Sequence, residues 1–111
     1  MENTSKNCYE IKKGDLKFYI GEDETNALAK ITFVYKEDTL VINHTIVSEL
    51  LKGQGVARTL VEHVVAFARL EKLKILPICD YAKNVLIKDT QYRDVLAEEI
   101  LNAIKDDNKE D

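Results

Sequence analysis

The sequence predicts an α/β protein, α+β in the order of its parts, built on a mixed sheet. Three observations predict it. The first half of the chain carries apolar residues with the period-2 pattern of strands. Near Gly55 the period changes to that of an amphipathic helix. A short apolar segment then follows, so that strand, helix and strand succeed one another as a βαβ unit with a right-handed crossover. At 111 residues one domain is expected over 1–97, large enough to bury a core without disulfides or metal.

Each element follows from local residues. Tyr9 to Lys12 is a short candidate strand, ended by Gly14-Asp15, and Leu16 to Ile20 follows at hairpin spacing. Ala27 to Tyr35 is the next strand, after the polar loop Glu22 to Asn26. Lys36-Glu37-Asp38 makes a turn, and Leu40 to Val47 (LVINHTIV) is apolar enough for a central strand. In simple alternation His44 shares a face with Leu40, Ile42 and Ile46 and points where core residues point. The helix carries Ala57, Leu60, Val61, Val64, Val65, Phe67 and Ala68 and fades near Glu71-Lys72. Lys74 to Cys79 (KILPIC) is a strand in which Pro77 lacks a ladder donor, so one side there should be unpaired. Ala82 to Lys88 is a short helix. Asp89-Thr90 caps another from about Gln91 to Ile104, with Tyr92, Val95, Leu96, Ile100, Leu101 and Ile104 on its apolar side.

Apolar residues make up 45% of the chain and charged residues 32%, an ordinary globular balance. Residues 1–97 are neutral, with 14 basic against 14 acidic side chains. The net charge of −4 comes from 98–111, which holds six acids and two lysines and is expected to be a helical extension with a frayed tail. No basic stripe calls for nucleic acid. No apolar run approaches the roughly 18 residues of a membrane helix. The opening MENTSKNCYEIKK has no signal-peptide core, so a cytoplasmic protein with reduced Cys8 and Cys79 is expected. The two cysteines and two histidines show no CxxC or HxxxH spacing, so no metal is expected.

The most chemical stretch is Lys52 to Leu60, KGQGVARTL, at the strand-to-helix junction. The first N–H groups of a helix have no internal partners and carry the positive end of its dipole. Gly53 and Gly55 remove side chains that would hold an anion away, and Lys52 adds a charge. These are the parts of a phosphate or pyrophosphate cradle. They are equally the parts of a helix start that needed flexible residues. The stretch is neither a Walker loop nor a full dinucleotide fingerprint, since Arg58 stands where a third glycine belongs.

With its surroundings the stretch resembles the acetyl-CoA loop of the GNAT N-acetyltransferase superfamily, Gln/Arg-x-x-Gly-x-Gly/Ala. Lys52, Gly55 and Ala57 fall on its defined positions, with Lys52 in place of Gln/Arg. A narrower likeness joins Asn43-His44-Thr45 and Val47, then GQGVA, then Pro77-x-Cys79-x-Tyr81-Ala82. These elements are similar to the small single-domain GNAT-like acetyltransferases, from about Tyr9 to Val95. Such proteins keep a minimal GNAT fold of antiparallel strands, a βαβ unit and C-terminal helices, without the first two helices of larger members.

The resemblance implies an acetyl-CoA-binding N-acetyltransferase that moves an acetyl group to an amine, either a small molecule or a protein. Thr45, Ile46 and Val47, then Lys52, Gly53, Gln54, Gly55, Val56, Ala57 and Arg58, with Tyr81 and Lys83, would hold the cosubstrate. It also implies His44 and Cys79 as catalytic residues, on parallel strands that splay to admit the thioester. His44 could act as general base on the amine, or Cys79 could accept the acetyl group as a thiolate activated by His44. Cys79 could also reprotonate the departing CoA thiolate. Taken alone, each is an ordinary core residue. Tyr81 either lines the CoA channel or packs, and Lys83 and Lys88 either meet nucleotide phosphates or face water. Tyr92 is expected in the core, His63 partly exposed, and Cys8 without a role. A non-catalytic acyl-CoA binding or sensing module, with Cys79 structural or redox-sensitive, is the rival reading. A monomer or weak dimer is expected; the acceptor is not encoded visibly.

Overall fold

A computed structural model describes residues 10–109. The strands are β1 (Lys12–Gly14), β2 (Lys17–Gly21), β3 (Ala27–Lys36), β4 (Thr39–Val47) and β5 (Lys74–Pro77). The helices are α1 (Val56–Glu71), α2 (Asp80–Lys88) and α3 (Glu98–Lys109), with 3-10 turns at Glu49–Leu51 and Thr90–Val95. The five-stranded sheet has the order β1-β2-β3-β4-β5. All neighbours are antiparallel except β4 and β5, which are parallel and joined through α1. The mixed α/β fold is the expected one.

Two of the antiparallel hairpins are closed by two residues, one of them in the left-handed region: Leu16 (φ 60°) between β1 and β2, Glu37 (φ 57°) between β3 and β4. Leu16 is therefore a turn residue, not the start of a strand. The first strand lies two or three residues later than the spacing suggested; Tyr9, like Cys8, is outside the described residues. The core forms between one sheet face and α1. Ile31, Phe33, Leu40 and Ile42 meet Leu60, Val61, Val64 and Ala68, all essentially without solvent contact. The stripe of apolar residues at helical spacing is what buries α1 there.

Two further differences from expectation lie in the second half of the chain. β5 stops at Pro77 instead of Cys79. The N–H groups of Ile78 and Cys79 both turn onto the Ile42 carbonyl (2.9 and 3.2 Å), and Cys79 becomes the N-cap of α2. The continuous helix expected over 91–104 is broken. Thr90–Val95 forms a 3-10 turn, Leu96 bridges Ile75 in parallel, and the Ala97 N–H donates to the Ile75 carbonyl at 2.9 Å. The outer edge of β5 thus captures two residues that the apolar spacing assigned to a helix. α3 then starts at Glu98, its acids in the first turn suiting the helix dipole. Since the Ile75 carbonyl faces away from β4, strand alternation turns the missing donor of Pro77 to that same outer side. The last two residues of the acidic tail lie outside the described residues. No described helix is long and apolar enough to cross a membrane.

Candidate active site

Strand β4 has two halves. As far as Ile42 it pairs with β3 on one side and β5 on the other. At Asn43 it acquires an extra residue, because Thr32 opposes His44 while Phe33 opposes Ile42. A β-bulge of this kind shifts the alternation by one. The shift puts Thr45 and Val47 opposite the buried Ile31 and Ala29. It puts His44 and Ile46 on the other face, where His44 is exposed and Ile46 is 51% exposed. His44 therefore does not point into the core with Leu40 and Ile42; the bulge reverses its face. The Thr32 hydroxyl donates to Asn43 Oδ1 and holds the bulge in place.

β5 pairs with β4 only to Ile42–Pro77. Beyond that point the two parallel strands part, and β5 gives way to α2. A cleft of about 520 Å³ opens there. Its walls are Thr45, Ile46 and Val47 of β4, Leu51, Lys52, Gly53 and Gly55 of the loop, Val56 and Ala57 of α1, and Tyr81 of α2. Leu51, buried in its 3-10 turn, is the lining residue sequence reasoning missed. A leucine in a polar loop, SELLKG, was its only signal.

The floor of the cleft is backbone. Gly53 (φ 81°) and Gly55 (φ 75°) both lie in the left-handed region, which a residue with a Cβ adopts only at a cost. A Cβ on either would meet nothing within 4 Å, so conformation and not crowding requires glycine, and the space beside the backbone is open. Gly55 is the N-cap of α1 and offers no side chain to its first turn. The first α1 bond runs from the Thr59 N–H to the Gly55 carbonyl at 3.1 Å. The N–H groups of Val56, Ala57 and Arg58 thus belong to the unpaired first turn of the helix.

The predicted charges divide. Lys52 borders the cleft, paired with Glu49 at 3.1 Å, both exposed. Gln54 donates from Nε2 to the Leu50 carbonyl at 3.3 Å and does not line the cleft. Arg58 turns away, bonded to Glu62 at 3.2 Å and 3.6 Å from Asp89. It borders a neighbouring polar hollow with Tyr81, Asn84 and Lys88. Lys83 lines neither the cleft nor this hollow but a third depression, beside Asp80 and Lys88. Tyr81 belongs to both the cleft and the hollow.

Cys79 is half-buried where β5 turns into α2, and its thiol donates to the Thr45 hydroxyl across the parted strands at 3.5 Å. Among the described residues no hydrogen bond joins Cys79 to His44. Burial pushes the Cys79 thiol pKa up, but groups able to donate to the thiolate outweigh it: the Ala82 amide, the Thr45 hydroxyl, which accepts from the neutral thiol and turns donor once it ionises, and the Tyr81 and Thr45 amides hold it below its ordinary value. Cys79 makes no regular cap bond to α2; the α2 amides act as weak donors at the helix start, an environment that favours thiolate. His63 is elsewhere, edge-on to Phe18 at 4.6 Å, its pKa lowered by burial. Tyr92 is in the core. Among the described residues no group of three or more His, Cys, Asp or Glu side chains could gather a metal ion.

Comparison with known proteins gives a consistent picture. The GCN5-related N-acetyltransferase family profile matches residues 17–95. The solution structure of a GCN5-like candidate N-acetyltransferase from Staphylococcus aureus is similar, at 47% identity and a TM-score of 0.69. The match covers 84% of this chain and 91% of that one. No curated protein matches the chain.

Proposed function

This chain belongs to the GCN5-related N-acetyltransferase family, and on that premise we propose that its cleft binds acetyl-CoA and delivers the acetyl group to an amine. The observation that carries this reading is the parting of β4 from β5 after Ile42–Pro77, with glycine backbone lining the cleft on one side and Tyr81 on the other. Cys79 is not among the lining residues and reaches the site through its contact with the lining Thr45. The amides from Gly53 to Arg58 would take the pyrophosphate, where the helix dipole favours an anion. Lys52 would exchange Glu49 for a phosphate oxygen. The edge of Thr45 to Val47, no longer paired by β5, offers main-chain groups to the pantetheine amides. Tyr81 would close the opposite wall. Arg58 and Lys83 would contribute only from the neighbouring hollows, toward the nucleotide end.

His44 would accept the proton of the attacking amine from the exposed side. Cys79 would serve at the thioester itself. In direct transfer its thiol returns a proton to the departing CoA sulfur. In the covalent route its thiolate attacks the thioester carbonyl, the carbonyl–sulfur bond to CoA breaks, and the amine then takes the acetyl group from Cys79. The donors that lower its pKa, Thr45 and the amides of Tyr81 and Ala82, favour thiolate without help from His44.

Thermal stabilisation by CoA tests the cleft: a ligand at about 100 times its Kd adds about 2.7 kcal/mol. The protein should melt higher with CoA, and no shift at millimolar CoA overturns the reading. Thiol release with an amine panel then tests transfer, and Cys79→Ala should lower it about a hundredfold while the CoA shift persists. An acetyl adduct lost in Cys79→Ala identifies the covalent route. Stabilisation without transfer to any amine would mark a binding module.

A further inference from the structure

The helices share one core with the inward sheet face, and this leaves the other face, the face of His44, without a described role. Its composition follows from the register. Lys12, Tyr19, Lys30 and Ile46 are successive partners across β1 to β4 and form one row. Gly14, Lys17, Thr32 and His44 form the adjacent row. Pleating turns both rows to the side opposite Phe18, Ile20, Ile31 and Phe33, which are buried.

Neither row contains an acid. Glu24 folds over Gly14, to within 2.7 Å of where a Cβ would stand, and pairs with Lys17 at 3.0 Å. That pair cancels. Lys12 donates to the neutral Gly21 carbonyl at 2.9 Å, so this bond brings no opposing charge. Among the described residues Lys30 has no carboxylate partner. Lys30 opposes Ile46, and the diagonal neighbour of Lys30 on the same face is His44. Such diagonal neighbours lie roughly 7–8 Å apart, about the length of a small amino acid or phosphoamine. Ile46 also borders the cleft, so the positive face runs up to its mouth.

We propose that this face is the acceptor surface, and that Lys30, with Lys12 behind it, selects an amine whose substituent bears a carboxylate or phosphate. The inference rests on the acetyl-CoA reading and names the acceptor class for the same site. The anion sits against Lys30 and the amine against His44. A polycationic acceptor is repelled by the same charges. The positive face also disfavours the ammonium form of a bound amine, which leaves the neutral nucleophile that transfer needs.

Matched amines test the proposal, with CoA release as the readout. β-Alanine is compared with its amide, phosphoethanolamine with ethanolamine, and an Asp/Glu tetrapeptide with its Asn/Gln counterpart. The anionic member of at least one pair should have a kcat/KM about tenfold higher, as expected for one contact to a charged group, and the preference should shrink with salt. A response in the first two pairs names a small molecule; a response in the peptides alone names an acidic chain terminus. Lys30→Gln should lower the anionic-to-neutral ratio about tenfold without changing the melting shift produced by CoA. Lys12→Gln, on the edge strand, should do the same more weakly and serves if the first variant does not fold. Equal rates within every pair, preference for a polyamine, or a Lys30→Gln effect on CoA stabilisation instead of the ratio would overturn the proposal. In the first two cases CoA stabilisation and transfer still stand, so the acetyl-CoA reading survives. If CoA gives no stabilisation, both fall.

Discussion

The two halves of β4 belong to one strand and do different work. Thr39 to Ile42 is paired on both sides and buries Leu40 and Ile42 completely. Asn43 to Val47 is paired with β3 alone, and after the bulge it carries the exposed His44 and Ile46 and the cleft-lining Thr45. One extra residue and the early end of β5 account for the difference. The first half supplies the stability that allows the second to leave main-chain groups unpaired beside a cleft. Neither half would serve in the other's place: a closed ladder has no mouth, and an unpaired edge cannot hold a sheet together.

Substitutions in the two halves should therefore separate stability from ligand response. The largest effect is expected from Ile42→Ala, which empties a fully buried site at the last closed rung. Chemical denaturation should show a loss of about 2–5 kcal/mol, and a loss below 1 kcal/mol would mean that rung is not the anchor. Gly55→Ala, across the open half, should cost about 1–2 kcal/mol from its left-handed backbone alone, since a Cβ there meets nothing. It should also weaken CoA stabilisation, whereas Ile42→Ala should leave the CoA increment intact in protein that remains folded.

A subtler contrast is chemical. Alkylation rate follows the thiolate fraction, so a lowered thiol pKa makes Cys79 react at a lower pH than a free cysteine does. Thr45→Val removes the donor across the open seam and should move the alkylation profile to higher pH, with melting temperature nearly unchanged. An unmoved profile would assign the effect to the α2 amides alone. The smallest effect belongs to Glu49→Gln. It frees Lys52 from an exposed pair worth less than about 1 kcal/mol, so CoA should bind no more than a few times tighter, as titration calorimetry would register.

The contrast within β4 also shows what a sequence can disclose. Strands β2 and β3 and helix α1 were legible because one period rules each of them, β4 was legible as an apolar run, and the glycine pair marked a junction whose backbone geometry needs glycine at both positions. The face of His44 was not legible through alternation, because a bulge changes the count. Its trace was present as three consecutive polar residues, Asn43-His44-Thr45, inside an otherwise apolar strand. The break before α3 left no such trace. Tyr92, Val95, Leu96 and Ile100 have spacing that suits an unbroken helix, and only the free edge of β5 at Ile75 diverts them. The pairing of Cys79 with Thr45 is likewise tertiary: its partners are 34 residues apart and meet because two strands part. Periodicity records contacts within an element; bulges, edges and seams depend on neighbours.

Backbone amide NMR during a CoA titration addresses the cleft most directly, because it reads each bank separately. The amides from Gly53 to Arg58 should shift saturably, together with Thr45 to Val47 and Cys79 to Ala82, while those of Leu40 and Ile42 stay in place. If saturating CoA leaves the Gly53–Arg58 amides unmoved, the glycine loop is only the start of a helix and the cleft does not hold the pyrophosphate.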